Sequence, residues 1–171
     1  GKALYIGLSN YKVPEMQKAC GILKQLGTPC LIHQPRYSML DRWVEDGLLD
    51  LIEKEGVGCI VFSPLAQGVL TGKYLNGIPA DSRAAGQSIF LKPESLTDGK
   101  LDKVRKLNDL ARQRGQTLAQ MALAWVLRGG RVTSALIGAS KTEQIDDCVK
   151  TIENLDFSKD ELDRIEDILK R

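Results

Sequence analysis

Short apolar runs alternate with amphipathic helical stretches, and this alternation limits the chain to few folds. Ala3–Leu8, Cys30–Gln34 and Cys59–Phe62 read as strands, recurring about every 27 residues, a spacing typical of βα units. Between the first two, Pro14–Leu26 carries apolar residues at helical period. Met16, Ala19, Leu23 and Leu26 share one face and Gly27 is the stop. A short helix is predicted near Gly47–Glu55, stopped by Gly56. Leu101–Arg114 and Leu118–Arg128 are further helices, and Ser134–Ile137 is the last strand. Strands that alternate with helices form a parallel sheet, so the chain belongs to the α/β class.

Capping residues sharpen the boundaries. Thr117 with Gln120, Ser140 with Glu143 and Ser158 with Glu161 each match the box in which a hydroxyl and an acidic or amide side chain satisfy the first N–H groups of a helix. Two closing helices follow. Ile145, Val149 and Ile152 are expected to face inward in the first, and Leu162, Ile165 and Leu169 in the second.

Four such strands make about half of an eight-stranded barrel, which typically takes ~250 residues. An open doubly wound sheet uses the same units. A half-barrel would leave two parallel edges exposed, and exposed edges find partners. The chain is therefore expected to be part of a longer polypeptide or to associate with another copy. Its start at Gly1, without Met and almost directly in a strand, points the same way.

Composition excludes several classes. The net charge is +2, from 24 basic and 22 acidic residues that are interspersed, so the basic stripe of a nucleic-acid binder is missing. No apolar run approaches a membrane span, and no signal peptide opens the chain. Cys20, Cys30, Cys59 and Cys148 are scattered without zinc spacing. Cys30 and Cys59 open apolar runs and read as small buried residues, which fits a reducing, cytoplasmic setting. No metal site is expected.

Each strand ends in polar residues: Ser9-Asn10, Gln34, Ser63-Pro64 and Gly138-Ala139-Ser140. In a parallel sheet these ends lie on one rim, where α/β proteins bind ligands. Asn and Gln can pair with an amide. The helix start at Ser140 offers free N–H groups to a phosphate, and Ser140 also caps that helix. The stretch FSPLAQGVLTGKY, Phe62 to Tyr74, adds a glycine-containing loop with Lys73. Its Gly68–Tyr74 segment imitates a phosphate-binding P-loop but has three residues between the glycines instead of four, and Tyr74 replaces the magnesium-binding hydroxyl. No G-x-G-x-x-G follows the first strand. His33, the only histidine, neighbours Gln34 and points to the other face of its strand, toward helices and a structural role. Trp43 and Trp125 read as packing residues, while nothing local decides whether Arg42 and Arg83 are surface charges. The long insertion of residues 73–100, rich in Gly, Pro, Asp and Ser, follows the suspected binding strand directly and exceeds ordinary loop lengths.

These residues resemble the aldo-keto reductases. The resemblance is carried by Ser63-Pro64-Leu65-Ala66-Gln67-Gly68 with Thr71-Gly72-Lys73-Tyr74, by Gly7-Leu8-Ser9-Asn10, by His33-Gln34-Pro35 with Tyr37, and by Ile137-Gly138-Ala139-Ser140 with Glu143-Gln144. It extends over essentially all 171 residues. The branch it most resembles holds bacterial L-glyceraldehyde 3-phosphate/methylglyoxal reductases and potassium-channel β subunits. The resemblance implies strands five to eight of a (β/α)8 TIM barrel that binds NADP(H). By similarity, Ser9, Asn10 and Gln34 would hold the nicotinamide carboxamide, and Phe62 would lie against its ring. Ser63, Leu65, Gln67 and Gly68 match the pyrophosphate loop, with Lys73 and Arg83 supplying positive charge and the insertion folding over the cofactor. Gly138, Ser140 and Gln144 match the adenosine 2′-phosphate end, with Asp147 near the adenine. Cys148 stands where relatives of this branch often carry Asn, and Gln144 falls near where other branches place an arginine, with Lys141 beside it. The family's catalytic Asp, Tyr, Lys and His belong to the first four strands, and none is assigned here. The implied activity is NADPH-dependent reduction of small aldehydes and ketones, this half supplying the cofactor cradle and being inactive alone. A non-catalytic module that binds cofactor and partner, or an inactive half-barrel, are the alternatives.

Overall fold

The computed structural model describes residues 1–80, 82–86 and 89–170. They form two compact units, Gly1–Pro64 with Val126–Ile137, and Leu65–Trp125 with Gly138–Arg171.

The first unit holds the sheet. Its strands are β1 (Ile6–Ser9), β2 (Cys30–Gln34), β3 (Gly58–Phe62) and β4 (Ser134–Leu136), all parallel and in the spatial order β1-β2-β3-β4. The order never reverses, so the switch point of a doubly wound sheet is absent from these strands. Helices α1 (Val13–Gln25) and α2 (Leu48–Lys54) connect the first three strands. Pro14 at the first turn presets α1. Its end is a glycine in the left-handed region, Gly27 at φ +71°, which lets the Thr28 N–H reach back to the Leu23 carbonyl at 3.0 Å. Gly56, at φ +69°, plays the same part after α2. In both places the chain is turned directly into the next strand.

The two faces of the sheet differ. Leu8, His33 and Cys59 are cross-strand neighbours in register, and Cys59 shares its face with Val61. His33, Cys59 and Val61 are buried, in a core with Met16 and Cys20 of α1 and Leu48, Leu49 and Ile52 of α2. Consecutive right-handed crossovers that step in one direction put every helix on the same side. The opposite face carries the row Gly7–Ile32–Gly58 and, nearer the rim, Ser9, Gln34, Ile60 and Phe62. None of these seven residues is fully buried. An open concavity of about 400 Å³ lies over Gly7, Ser9, Ile32, Gln34 and Ile60.

The second unit is helical: α3 (Asp98–Gln113), the first two turns of α4 (Leu118–Leu127), α5 (Thr142–Val149) and α6 (Lys159–Lys170). Thr97 caps α3 through its side chain, accepting from the Lys100 N–H at 3.3 Å. Val104, Leu107 and Leu110 of α3 are buried, and α3 packs against α6, whose Ile165 is fully buried. The side chain of Arg114, 2% exposed, ties the C-terminal segment down. It pairs with Glu161 at 2.7 Å, donates to the Asp156 carbonyl at 2.9 Å and lies 3.8 Å above the Phe157 ring. Before α3 begins at Asp98, the described residues of the insertion hold only turns, bends and one short helical turn at Pro93–Ser95, anchored by buried Tyr74, Ala84 and Leu91; Asp81, Gln87 and Ser88 lie outside the described residues.

Several expectations are corrected. Ile145, Val149 and Ile152 are exposed, the last at 69%, and no residue of α5 is buried. Within its own unit this amphipathic helix has no cover for its apolar stripe. Leu26, also 69% exposed, lies beyond the end of α1, whose buried residues are Met16 and Cys20. The first strand begins at Ile6 rather than Ala3, and Leu4 and Tyr5 stand exposed before it. The box at Ser140 closes with Gln144 instead of Glu143: the Gln144 Oε1 accepts from the backbone N–H of Ser140 at 2.8 Å and of Lys141 at 3.3 Å. Helix α5 starts at Thr142, so the third helical position falls one residue later. The boxes at Thr117–Gln120 and Ser158–Glu161 form as expected.

Candidate functional site

The sequence-predicted site residues fall into two groups, one in each unit.

In the first unit, the C-terminal ends of β1, β2 and β3 bring Ser9, Asn10, Gln34, Phe62 and Ser63 to one rim. The Gln34 carbonyl is the hub. It accepts from the Ser9 hydroxyl at 2.8 Å and from the Asn10 N–H at 3.2 Å. Asn10 adopts φ +55°, and its Oδ1 accepts from the Arg36 N–H at 3.0 Å. That bond fixes the amide's orientation and leaves Nδ2 pointing elsewhere as a donor. The Gln34 carboxamide has no hydrogen-bond partner among the described residues. A carboxamide with donor and acceptor both available, beside a second amide donor and a hydroxyl oxygen, is the chemistry that receives another amide. Phe62 is half-exposed on the same bare face as Gln34, and its ring offers an apolar surface next to those polar groups. Ser63 turns the chain away at φ +55°.

In the second unit, Leu65 leads into a tight turn at Ala66–Thr71 in which Ala66, Gln67 and Gly68 all have positive φ (+48°, +60° and +93°). The Leu65 carbonyl accepts from the N–H groups of Gly68 at 2.9 Å and Leu70 at 3.1 Å. Left-handed backbone at two non-glycine residues in a row is costly and clusters at ligand-clamping segments. Arg83 of the insertion reaches this turn: its Nη1 donates to the Gln67 Oε1 at 2.6 Å. Its Nη2 lies 3.9 Å from where a Cβ on Gly138 would sit. Lys73 is exposed beside the turn. Gln67, Arg83 and Gly138 are therefore gathered in one place, with a guanidinium at its centre. Ser140 and Gln144 share the bond at the start of α5. Asp147, next on that helix, accepts from Gln120 Nε2 at 2.8 Å through one carboxylate oxygen and from the Thr117 hydroxyl at 3.1 Å through the other. Both oxygens already anchor α5 to the start of α4. Each still has a second lone-pair direction for a ligand.

The remaining candidates fall outside both groups. His33 is fully buried on the helix side, and neither ring nitrogen meets hydrogen-bond geometry, although the Tyr11 backbone is nearby. Burial holds its pKa below the usual histidine value. It is a neutral core residue, as the strand alternation predicts. Burial pushes the thiols of Cys20, Cys30 and Cys148 up, and that of Cys59 to about 11, so none is poised as a nucleophile. Among the described residues, no cluster of His, Cys, Asp and Glu could hold a metal ion, and no helix is long and apolar enough to cross a membrane.

Sequence reasoning missed one feature of the first unit. Tyr37, 1% exposed, donates from its hydroxyl to Glu45 at 2.6 Å and accepts from Arg128 at 3.0 Å. Arg42, left undecided from sequence, binds the other oxygen of Glu45 at 2.6 Å and 2.9 Å. The signal was weak because Arg128 lies 91 residues from Tyr37.

Comparison with known proteins gives one answer. The aldo/keto reductase family model matches residues 1–170. The chain is 53% identical over 170 residues to an L-glyceraldehyde 3-phosphate reductase of Escherichia coli, covering 97% of this chain and 49% of that protein. It is 39% identical to a putative voltage-gated potassium channel subunit beta of Schizosaccharomyces pombe, over 99% of this chain and 51% of that one. Among solved structures, a glycerol dehydrogenase from Gluconobacter oxydans superposes with a TM-score of 0.77 at 28% identity, covering 98% of this chain and 49% of the other. The chain spans about half the length of the relatives it matches. Its motifs, its parallel sheet and these likenesses agree: the chain belongs to the aldo/keto reductase family.

Proposed function

We propose that this chain supplies the cofactor-binding half, strands five to eight, of a barrel that reduces small aldehydes or ketones with NADPH. The observation that carries this reading is the rim of the first unit. There the Ser9 hydroxyl and the Asn10 N–H converge on the Gln34 carbonyl, amide groups are left available, and Ser9 and Gln34 share the uncovered face with Phe62. That set suits a planar ring bearing a carboxamide. In the second unit, Arg83 with Gln67, Gly68 and Gly138 suits the pyrophosphate, with Lys73 nearby, and Ser140, Gln144 and Asp147 suit the adenosine end. NADP rather than NAD is favoured by the cation Lys141 at the adenosine end.

When bound, the cofactor supplies hydride to a carbonyl carbon. This chain's residues bind and orient it. Ser9, Asn10 and Gln34 fix the carboxamide and so the face of the ring that is presented. Phe62 shields the other side from water. An anion at Arg83 exchanges a neutral acceptor, the Gln67 carbonyl, for a charged one, and charge-assisted bonds are the stronger. None of these groups is assigned as the acid that protonates the carbonyl oxygen; that proton is proposed to come from the other half of the barrel.

The same half is the proposed partner. In the first unit, Leu136 and Ile137 are exposed at the β4 edge, and in the second the stripe of α5 is bare. A further βα unit beside β4 would cover the exposed strand edge, whether from a longer polypeptide or from a second copy. NADPH fluorescence titration tests the cofactor reading. Saturable binding without reduction of methylglyoxal is expected. No binding at millimolar cofactor would overturn the cradle, and turnover by this chain alone would overturn the absence of an acid.

A further inference from the structure

We propose that Tyr37, locked by Glu45 and Arg128, is a positioning residue for the nicotinamide-facing groups of this chain; the proposal rests on the cofactor reading above. The four residues Gln34 to Tyr37 touch every other residue proposed for that end. Gln34 holds Ser9 and Asn10 through its carbonyl. The Arg36 N–H holds the Asn10 side chain at 3.0 Å. The Phe62 N–H donates to the Pro35 carbonyl at 3.1 Å, and the Tyr37 N–H donates to the Phe62 carbonyl at 3.3 Å. Yet β2 ends at Gln34, and Pro35 has no N–H to extend a ladder. Two backbone bonds to Phe62 alone would leave this segment loosely held.

The Tyr37 side chain supplies the missing anchor. It points into a partly buried network while the Gln34 side chain points to the bare face. Its hydroxyl bridges Glu45 and Arg128, and Arg128 also donates to Glu45 at 3.2 Å. The Glu45 carboxylate thus receives one phenol and two guanidinium groups. Burial alone would raise its pKa, but the bonds from Arg42, Tyr37 and Arg128 hold it below the usual carboxylate range. The anchor stays charged at neutral pH. Phenylalanine at position 37 would fill the same volume but remove the hydroxyl that bridges Glu45 and Arg128. The Gln34–Tyr37 segment would then be free to shift, and Ser9, Asn10 and Phe62 with it.

The test compares two ligands on the full chain. NADPH carries the nicotinamide proposed for the first group, whereas 2′,5′-ADP carries only the adenosine and phosphate part. Tyr37→Phe is expected to weaken NADPH binding about tenfold, the loss of one hydrogen bond to a charged group, while 2′,5′-ADP binds as before. Glu45→Gln keeps an acceptor for Tyr37 but removes the charge, and should give the same split with a smaller loss; it also serves if Tyr37→Phe does not fold. Circular dichroism checks both variants. Equal loss for both ligands, or no loss for either, would overturn the positioning role. Failure of the wild type to bind NADPH would overturn the cofactor reading and this role together, so the two failures are distinguishable.

Discussion

Two glycines flank Ile32 on the bare face of the sheet, and they are not equivalent. A Cβ at Gly7 would lie 3.1 Å from the Ile32 carbonyl oxygen, a backbone atom of the paired strand that cannot rotate away. A Cβ at Gly58 would meet the Leu31 carbonyl at 3.5 Å and the Thr133 hydroxyl at 3.6 Å, ordinary contacts. Neither glycine has positive φ, so alanine at either site gains about 0.4–1 kcal/mol by restricting the unfolded chain. At Gly7 that gain is opposed by overpacking, typically about 1–3 kcal/mol. Gly7→Ala should therefore be destabilising by about 1 kcal/mol and Gly58→Ala stabilising by about 0.5 kcal/mol. For a chain of this length the first corresponds to a fall of about 2–4 °C in Tm. Urea unfolding followed by circular dichroism gives both values. The strain at Gly7 also lies two residues before the Ser9–Gln34 bond, so NADPH should bind Gly7→Ala less tightly than Gly58→Ala. A Gly7→Ala variant as stable as Gly58→Ala would refute the register of β1 on β2 from which the clash is derived.

Two further outcomes are expected. His33 is buried neutral with its pKa lowered, so below about pH 6.5 the unfolded chain binds a proton that the folded chain refuses. Stability should be flat above that pH and fall below it, by at most about 1.4 kcal/mol per pH unit, the limit for one proton; His33→Met should flatten urea midpoints between pH 7.5 and 5.5, and an unchanged slope would show that His33 is not the group. Light scattering with size-exclusion chromatography should find the chain self-associated, or monomeric only in company with the other half of the barrel, and a stable, well-folded monomer would show that the α5 stripe and the β4 edge need no cover.

What the sequence disclosed follows from the range of each interaction. Strand and helix order rest on local periodicity and on stops such as Gly27 and Gly56, and these were legible. So was the orientation of His33, because alternation along β2 depends on its neighbour alone. The stripe Ile145–Val149–Ile152 misled because amphipathicity tells which face seeks cover and is silent on whether the cover is in the same unit. Gln144 escaped because capping depends on the first helical residue, and a shift of one changes the partner. Tyr37, Glu45 and Arg128 escaped because a partly buried polar network joins residues far apart in sequence. Family motifs marked Tyr37 as part of a pattern but gave no reason for it; only its two hydroxyl bonds do.

The two groups of site residues also differ in what they offer a ligand. In the first unit the Gln34 carboxamide and the Asn10 Nδ2 are available, held at fixed positions by backbone bonds that a ligand need not break. In the second, the side chains already satisfy one another: Arg83 with Gln67, Gln144 with the start of α5, Asp147 with Thr117 and Gln120. An amide can therefore bind the first group at little reorganisation cost. A phosphate must displace Gln67 from Arg83 or share it, and gains because an anion is the better acceptor for a guanidinium. On the proposed function, preference for a charged ligand would follow from that exchange. A neutral ligand that displaced Gln67 would swap one neutral acceptor for another and gain little, so on the proposed function the closed pair would favour ligands that carry a phosphate.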